Sequence, residues 1–464
     1  MIRRLLIVNR GEIALRVVRA ARELGMQAIV AHSEADADSL AVQQADEGVC
    51  IGPAQATKSY LNIDAILKAA KDVNADAVHP GYGFLSESPG FARAVKDAGM
   101  VFVGPEAAII ERMGDKAMAR QTAIEAGVPV VPGSPSAVSD LDEALAVADS
   151  VGYPLLIKAA AGGGGRGIRV AANAEALREE LPMAQTEART AFGDDRVYLE
   201  RFIERSRHIE VQILGDGERA IHLFERECSL QRRRQKVFEE CPSPALDEPT
   251  RDALCRSAVA LAEHVDYFGA GTLEYLFDDT TGEFFFIEMN TRIQVEHPIT
   301  EAVTGVDLVR EMLWLACGER LRFTQQEISR RGWAVEMRIN AEDPERGFFP
   351  SPGQVQRLVW PTGPGIRIDS CLFDGHRMPP FYDSLVAKLI VWDECRDSAL
   401  TRAGRALDEF TLEGFATTAG LHRRLVDDPE VRRGAMDTGF LERWLEGEPA
   451  STESSSASVK EAVS

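Results

Sequence analysis

The sequence predicts a multidomain chain in which an α/β unit is followed by α+β units. Three observations lead to this prediction: strands and helices alternate over about the first 114 residues, a strand–glycine–strand segment surrounds residues 162–167, and residues 334–395 are rich in strand patterns. The length of 464 residues fits about three domains of ~150 residues each.

The N-terminal segment alternates buried strands with amphipathic helices. Predicted strands cover residues 4–8, 26–31, 76–79 and 100–103, and predicted helices cover residues 12–24, 61–71 and 88–98. This order is typical of a parallel sheet with helices on both faces. The turn-rich loop 79–87 follows a strand, where such folds bind ligands, although a plain glycine turn is an equally good interpretation.

The next segment predicts a small α+β unit around a glycine run. A loop at 128–136 precedes a helix at 140–151, strands at 154–159 and 168–170, a helix at 174–189 and a strand at 196–199. The run 162–167 has the form G-x-G-x-x-G, but strands flank it on both sides, so it predicts a phosphate-binding hairpin flap and not a dinucleotide fingerprint. Lys158, just before it, suits a phosphate; a flexible linker is the alternative.

Residues 284–296 give the strongest chemical signal. From position 288 onward every second residue is polar, so an extended chain would place five polar groups on one face: Glu288, Asn290, Arg292, Gln294 and Glu296. Their carboxylate and amide oxygens suit Mg²⁺, and Glu274 in the strand-like run 271–277 supplies a third oxygen. The alternative is an exposed edge strand.

Two further features are basic. Four cations within residues 232–236 of an acidic chain predict an anion site, with a solvated basic loop as an equal alternative. A predicted strand around Val335 carries Arg338 on its polar face, which by itself is more typical of a structural arginine. Helices are predicted at 249–266 and 304–317.

Composition excludes several classes of function. The net charge of −21 argues against nucleic-acid and anionic-membrane binding. No apolar run approaches the ~18 residues of a membrane span, and the N-terminus has no signal-peptide core. Seven scattered cysteines without a C-x-x-C pair predict a reducing, cytoplasmic setting without zinc. No nucleophile elbow or other hydrolase motif occurs.

Together these stretches resemble biotin carboxylase, the ATP-grasp component of biotin-dependent carboxylases, over residues 1–445. The resemblance rests on motifs at 9–14, 79–87, 162–167, 226–236, 288–298, 338–344 and 382–384. It implies a Rossmann-like N-terminal domain (1–114), an ATP-grasp lid and linker (115–203), an ATP-grasp catalytic region (204–330) and a β-rich C-terminal carboxylase domain (331–446). A polar tail at 447–464 is predicted to be disordered.

The resemblance also implies roles for individual residues. Lys116 and Lys158 correspond to ATP-phosphate lysines, Gly164 and Gly165 to the lid loop, and Glu200, Arg201, Phe202 and Ile203 to the hinge that reads adenine. His208 and Gln231 correspond to other nucleotide contacts, and Glu274, Glu288 and Asn290 to ligands of Mg²⁺, with Mn²⁺ as a second candidate metal. Lys236, Arg292, Gln294, Val295 and Glu296 correspond to the bicarbonate site, and Arg338 to a residue shared by bicarbonate and biotin.

The implied activity is ATP-dependent carboxylation of biotin, with Glu296 as the base, for an acetyl-CoA carboxylase. The alternatives are another acyl-CoA or pyruvate carboxylase, or a nucleotide-binding regulatory protein that has lost turnover. The chain has no Met-Lys-Met motif, so the expected partners are a separate biotin carrier protein and a carboxyltransferase subunit. Arg19, Glu23 and Arg367 correspond to a homodimer contact.

Two departures from the family pattern concern the nucleotide. Arg234 stands where the family usually has His, in a ribose- or phosphate-side contact. The lid begins with Ala159-Ala160-Ala161 in place of Ala-Ser-Gly, which removes a hydroxyl and a glycine. Nucleotide affinity and lid closure are therefore the properties most open to change.

Overall fold

The structure is a computed structural model that describes residues 2–159, 168–192 and 195–447. The predicted disordered tail falls almost wholly outside the described residues. Within them, no helix has both the length and the apolar character needed to cross a membrane.

The N-terminal unit is a five-stranded parallel sheet in the order β3-β2-β1-β4-β5. Its strands are β1 (Arg4–Ile7), β2 (Gln27–Ser33), β3 (Glu47–Gly52), β4 (Ala77–His79) and β5 (Val101–Phe102). Its helices are α1 (Gly11–Glu23), α2 (Leu40–Gln44), α3 (Ile63–Asp72), α4 (Pro89–Asp97) and α5 (Ala107–Gly114). The sequence did not predict α2, α5 or β3; β3 is a half-exposed edge strand without a clean apolar pattern.

A small α+β unit follows. Its three strands form an antiparallel sheet in the order β7-β6-β8. Helix α6 (Lys116–Glu125) leads into this unit but packs in the core of the largest sheet, and the unit itself contains α7 (Leu141–Val151), β6 (Leu155–Ala159), β7 (Ile168–Ala171), α8 (Ala174–Phe192) and β8 (Val197–Arg201). Apolar side chains of the sheet pack against α7 and α8 in a core of their own, as expected for an amphipathic two-layer unit.

The largest sheet has eight antiparallel strands in the order β13-β12-β9-β10-β11-β14-β19-β18. Its first part contains β9 (Ser206–Asp216), β10 (Ala220–Arg232), β11 (Gln235–Cys241), α9 (Glu248–His264), β12 (Phe268–Asp278), β13 (Phe284–Asn290), α10 (His297–Thr304) and α11 (Leu308–Ala316). The sheet continues through β14 (Trp333–Asn340), so it runs across the predicted domain boundary at residue 330.

The remaining elements complete this sheet and cover one face of it. They are β15 (Glu342–Asp343), β16 (Phe349–Pro350), β17 (Arg357–Val359), β18 (Ile366–Ser370), β19 (Leu385–Asp393), α12 (Arg396–Glu409), β20 (Thr411–Glu413), α13 (Ala419–Leu425), α14 (Pro429–Arg433) and α15 (Phe440–Glu446). Short 3₁₀ helices occur at Glu34–Asp36, Ala56–Lys58, Gln325–Glu327 and Pro344–Arg346.

The N-terminal unit and the large sheet share one apolar core. Leu5 and Val17 of the first unit pack in the same cluster as Leu214, Leu223 and Leu313, all of them buried. Burying a leucine or valine side chain stabilises a fold by roughly 1.5–3 kcal/mol. This shared core holds the loops of the N-terminal unit against the face of the large sheet that carries the polar residues.

Two predicted elements were wrong in extent. The alternating run was predicted as one strand through residue 296, but β13 ends at Asn290 and the chain turns into α10. A bulge opposite Glu274–Tyr275 also leaves Ile287 unpaired and 38% exposed. The helix predicted at 304–317 is α11, which begins only at Leu308, because the sequence did not predict the preceding α10, which ends where Gly305 adopts a left-handed φ of 73°.

Candidate active site

A row of charged side chains crosses four strands of the large sheet. Glu288 of β13 lies opposite Glu274 of β12, Glu274 lies opposite Glu210 of β9, and Glu210 lies opposite Arg226 of β10. Directly opposed residues of antiparallel strands share a face, with Cβ atoms about 5 Å apart. Three carboxylates and one guanidinium therefore stand side by side.

Lys236 of β11 reaches into this row. Its Nζ donates to Glu210 at 2.6 Å, to Glu274 at 2.9 Å and to Glu296 at 2.8 Å. Burial lowers the pKa of Lys236, but the three carboxylates raise it well above its usual value. The ammonium is therefore a fixed positive charge at the centre of the site, as an anion-binding role requires.

Arg226 holds Glu210 from the other side. Its fully buried guanidinium donates to Glu210 at 2.6 Å, to Gln212 at 2.7 Å and to Thr300 at 2.9 Å. Burial lowers the pKa of Arg226, yet Glu210 and Glu296 keep it above its usual value. Arg226 thus ties β9 and β10 to α10.

Glu296 is the carboxylate that contacts two cations of the predicted bicarbonate site, Lys236 and Arg338. It is fully buried, and it accepts from Lys236 on Oε1 and from Arg338 on Oε2, at 3.0 Å in the latter case. Burial by itself would raise the pKa of Glu296, but Lys236, Arg338 and Arg226 together hold it well below its usual range. Glu296 is therefore ionised and able to accept a proton once a ligand draws these cations away.

Arg338 is held at both ends of its guanidinium. Its Nε donates to Glu239 at 2.5 Å, opposite the arm that reaches Glu296. The Arg338 carbonyl accepts from Thr418 at 2.9 Å and lies 2.8 Å from Nε2 of His422. The sequence by itself favoured a structural arginine here, but the structure places Arg338 within the same charge cluster as Lys236.

The turn that carries Glu296 is fixed by a buried lysine. Nζ of Lys388 donates to the Val295 carbonyl at 2.8 Å and forms an ion pair with Glu12 at 3.0 Å. Lys388 is fully buried, which lowers its pKa, but Glu12, Glu336 and Asp369 together raise that pKa above its usual value. Val295 therefore lies beside Glu296 with its carbonyl already bonded to Lys388.

The three predicted metal ligands lie together. Glu274 and Glu288 are cross-strand neighbours, and Nδ2 of Asn290 donates to Glu274 at 2.9 Å. Burial and the charge of Glu274 raise the pKa of Glu288. Two carboxylates and an amide are a donor set that suits Mg²⁺, and a divalent cation would relieve the repulsion between the carboxylates. The residues present fit the metal, provided that Glu274 and Asn290 exchange some of their present partners.

Within the described residues, other acidic groups also gather closely enough to hold a metal. One group is His208, Glu210 and Glu274; the other is Glu210, Cys228 and Glu296. The ammonium of Lys236 contacts two carboxylates in each of these groups but only Glu274 in the Glu274–Glu288–Asn290 set, so that set has less competing positive charge and is favoured for a cation. His208 lies 3.1 Å from Glu274 through Nε2.

Two predicted bicarbonate residues border the metal position. Arg292 donates to Glu87 at 2.8 Å and to Oδ1 of Asn290 at 3.0 Å. Gln294 donates to Glu274 at 3.1 Å. Although residues 291–296 leave the sheet, their side chains return to the same cluster, so the predicted grouping holds without the predicted strand.

The predicted nucleotide residues are spread along the edge of this cluster. Lys158 forms an ion pair with Glu200 across β6 and β8. Lys116 begins α6 and is exposed, and its charge acts on the half-buried Glu288. Gly164 and Gly165 lie outside the described residues.

Two backbone amides of the predicted adenine hinge already form hydrogen bonds within the fold. The amides of Arg201 and Phe202 donate to the carbonyls of Pro132 and Pro154 at 2.8 and 2.9 Å. Ile203 is buried. A nucleobase would therefore have to use the other backbone groups of this segment.

The side chains of the basic segment 232–236 lie in separate environments. Only Lys236 enters the charge cluster, whereas Arg232 stacks on Phe348 at 3.8 Å. Arg234 is exposed in the left-handed turn between β10 and β11. Gln231, next to this turn, donates to the Cys228 carbonyl at 2.9 Å. The four cations of this segment therefore do not gather at one place, and Lys236 alone of them belongs to the charge cluster.

The sequence interpretation missed several residues of the cluster: Glu12, Glu87, Glu210, Glu239, Glu336 and Lys388. Glu12 and Glu87 lie inside the motifs 9–14 and 79–87 on which the resemblance rests. The others sit in strands that look ordinary, and a signal for them appears only when burial is known.

Three family models match the chain in order. Residues 1–110 match the biotin carboxylase N-terminal domain, residues 115–324 match the ATP-binding domain of the carbamoyl-phosphate synthase L chain, and residues 336–443 match the biotin carboxylase C-terminal domain. The matches cover nearly all of the described residues.

Individual relatives agree with these matches. Biotin carboxylase 1 of Bacillus subtilis is 49% identical over 96% of this chain and 99% of its own length. A pyruvate carboxylase subunit of Methanothermobacter thermautotrophicus is 47% identical over 96% of this chain and 91% of its own. The biotin carboxylase domain of a thermophilic 2-oxoglutarate carboxylase, solved with bicarbonate, superimposes with a TM-score of 0.91 at 43% identity, covering 96% of this chain and 98% of that one. The chain therefore belongs to the biotin carboxylase family and is an ATP-dependent ligase.

Proposed function

We propose that this protein uses MgATP and bicarbonate to carboxylate biotin on a separate carrier protein, as the first half-reaction of an acetyl-CoA carboxylase. The observation that carries this proposal is the buried Glu296 carboxylate, bonded to Lys236 at 2.8 Å and to Arg338 at 3.0 Å. An ionised base between two cations suits an anionic substrate that must lose a proton before it reacts.

The proposed reaction uses this cluster in order. Bicarbonate binds to Lys236 and Arg292, which draws Lys236 from Glu296 and allows Glu296 to accept the bicarbonate proton. The bicarbonate oxygen attacks the γ-phosphorus of ATP, ADP leaves, and carboxyphosphate forms. Carboxyphosphate breaks into CO₂ and phosphate, and the phosphate takes the N1′ proton of biotin. The carboxyl carbon of CO₂ then bonds to N1′.

Arg338 and the metal supply charge stabilisation. Arg338 stabilises the biotin enolate through a guanidinium that the Glu239 carboxylate holds at 2.5 Å. When bound by Glu274, Glu288 and Asn290, Mg²⁺ would neutralise negative charge on the phosphoryl group in transfer. Gln294 orients Glu274, and the Val295 carbonyl fixes the turn through Lys388.

We place the nucleotide between the lid and the cluster. Lys116 and Lys158 would contact its phosphates together with Gly164 and Gly165, and the segment from Glu200 to Ile203 would face adenine. His208, Gln231 and Arg234 are the further proposed contacts. The family model for an ATP-binding domain over residues 115–324 supports this placement.

There is a second candidate for the molecule that finally accepts the carboxyl group. The pyruvate carboxylase subunit of Methanothermobacter matches almost as well as the Bacillus biotin carboxylase, at 47% against 49% identity. Transfer assays with the carrier protein and carboxyltransferase subunits of each system would separate these acceptors. Malonyl-CoA formation supports acetyl-CoA carboxylase, and oxaloacetate formation without malonyl-CoA contradicts it.

The half-reaction itself is tested with free biotin. We expect ADP release that requires both bicarbonate and biotin. A protein that binds nucleotide without this release would instead be the regulatory alternative, which Arg234 and the altered lid motivate.

Loss of one metal ligand should change the magnesium requirement. We expect Glu288→Gln to raise the Mg²⁺ concentration for half-maximal ADP release at least about ten-fold, because even groups outside the coordination sphere cost 10–100-fold. Glu218→Gln, an exposed change far from the cluster, should leave it unaltered. If both variants have the same magnesium dependence, Glu288 is not a ligand of the metal.

We also propose a homodimer. Arg19, Glu23 and Arg367 line a surface cavity of about 360 Å³ together with Arg16 and Asp307. Charged groups of both signs around one concave patch support self-association. Sedimentation velocity at micromolar concentration should give a dimer, and Arg19→Glu should weaken it; a wild-type monomer under these conditions would overturn the proposal.

A further inference from the structure

Two carboxylates behind Arg338 have oxygens that lack a hydrogen-bond donor. Glu239 of β11 and Glu336 of β14 lie directly opposite each other, and both are fully buried. Within the described residues, Oε2 of Glu239 and both oxygens of Glu336 have no hydrogen-bond partner. Buried polar atoms are nearly always bonded, so three unpartnered oxygens at one place need a physical explanation.

Two ionised carboxylates in this arrangement would repel each other with little solvent screening. Burial raises the pKa of Glu336 well above its usual value, although Lys388 acts against this. Burial also raises the pKa of Glu239 to about 7, despite the charge of Arg338. The raised pKa values of both glutamates favour a state in which the pair keeps one proton.

The charged groups around the pair do not donate hydrogen bonds to the three unpartnered oxygens. The titratable groups that interact with the pair are Lys236 of β11, Arg338 of β14, Lys388 of β19, Glu296 before α10 and Cys228 of β10. Burial raises the pKa of the Cys228 thiol and so keeps it neutral. None of the five donates to the three oxygens.

We propose that Glu239 and Glu336 share one proton and that this proton positions Arg338 for the reaction with biotin. The Glu336 hydroxyl donates to Oε2 of Glu239, which leaves Oε1 of Glu239 to accept from Arg338. Loss of the shared proton adds a negative charge beside Arg338 and draws its guanidinium away from Glu296. Both glutamates are positioning residues, and this part of the inference rests on the proposed function of Arg338.

Infrared spectroscopy tests the proton without any activity. At neutral pH the wild-type protein should show a carbonyl band of a protonated, buried carboxyl group that Glu336→Gln lacks. The exposed change Glu413→Gln in β20 should retain the band. If wild type and Glu336→Gln have the same spectrum in this region, the oxygens are ionised or bridged by water and the proposal is wrong.

The pH dependence of stability gives a second test. Between the unfolded pKa of glutamate, about 4.3, and the raised pKa of the folded pair, the folded state binds more protons than the unfolded state. Wild-type stability therefore falls as the pH rises through this window. Glu336→Gln keeps a neutral donor, so its melting temperature relative to wild type should increase with pH up to the folded pKa. A constant difference contradicts the shared proton.

Kinetics with free biotin test the positioning role. Glu336→Gln should keep kcat/KM for biotin near the wild-type value at neutral pH and move its alkaline decline upward by at least about one pH unit. Glu336→Leu removes the donor and should lower kcat/KM for biotin roughly ten-fold, with little change in KM for ATP. Equal losses in both variants would indicate a merely structural role.

The outcomes separate this inference from the proposed function. A protein without biotin-dependent ADP release can still show the carboxyl band and the stability trend. That result would support the shared proton and contradict the proposed role of Arg338 in the reaction. An active protein without the band retains the proposed function and loses the shared proton.

Discussion

Glu296→Gln should lower biotin-dependent ATP cleavage by roughly 10²–10⁴-fold, the usual contribution of a general base, while MgATP binding is largely kept. The change preserves the shape of the side chain but removes its charge. Since Oε1 and Oε2 accept from Lys236 and Arg338 respectively, the new amide must also point its NH₂ at one of these cations. ADP release with free biotin and calorimetric titration with MgATP measure the two effects separately.

The control for this change is Glu345→Gln, an exposed residue of the 3₁₀ helix Pro344–Arg346. It should retain wild-type rates. If Glu296→Gln turns over like the control, Glu296 is not the base. If it loses MgATP binding as well, the rate loss cannot be assigned to the proton transfer alone.

Arg226→Met should lower the free energy of unfolding by about 3–5 kcal/mol, the usual cost of removing one partner from a buried ion pair. Arg226 and Glu210 are both fully buried, so neither charge can turn to solvent. The variant also leaves Gln212, Thr272 and Thr300 without the donor that joins them. Guanidinium unfolding followed by circular dichroism measures the shift in midpoint.

Arg256→Met is the matched control, because Arg256 forms its ion pair with Asp252 on the exposed face of α9. Exposed pairs contribute only about 0–1 kcal/mol. We expect its midpoint to remain close to that of the wild type. Equal midpoints for the two variants would mean that Arg226 does not support the sheet as described.

The sequence predicted much of the site through local pattern. Glu288 and Asn290 belong to a strand, and a period of two places their side chains on one face whatever the rest of the chain does. The same reasoning was wrong for residues 291–296, because nothing in a period-two pattern records where pairing with β12 stops. Ile287 shows the same limit, since a bulge depends on the register of the partner strand.

Other residues could be recognised only after folding. Lys388 and Glu336 stand in strands with ordinary apolar neighbours, and on an exposed face each would be a solvated charge. Their importance comes from complete burial, and burial depends on α10 and the N-terminal unit packing over the sheet. Arg232 and Arg234 show the reverse case. The sequence grouped them in one site, but the structure separates them, because adjacent side chains in a turn point to different surroundings.

The sequence by itself determined the kinds of groups available: carboxylates and amides at strand spacing, a lysine among arginines, and a glycine run near a second lysine. The tertiary structure decided which carboxylate meets which cation. Lys236 contacts Glu210, Glu274 and Glu296, which lie 26, 38 and 60 positions away along the chain. Such contacts depend on the register between distant strands, and that register is set by the packing of the whole sheet and not by any local segment.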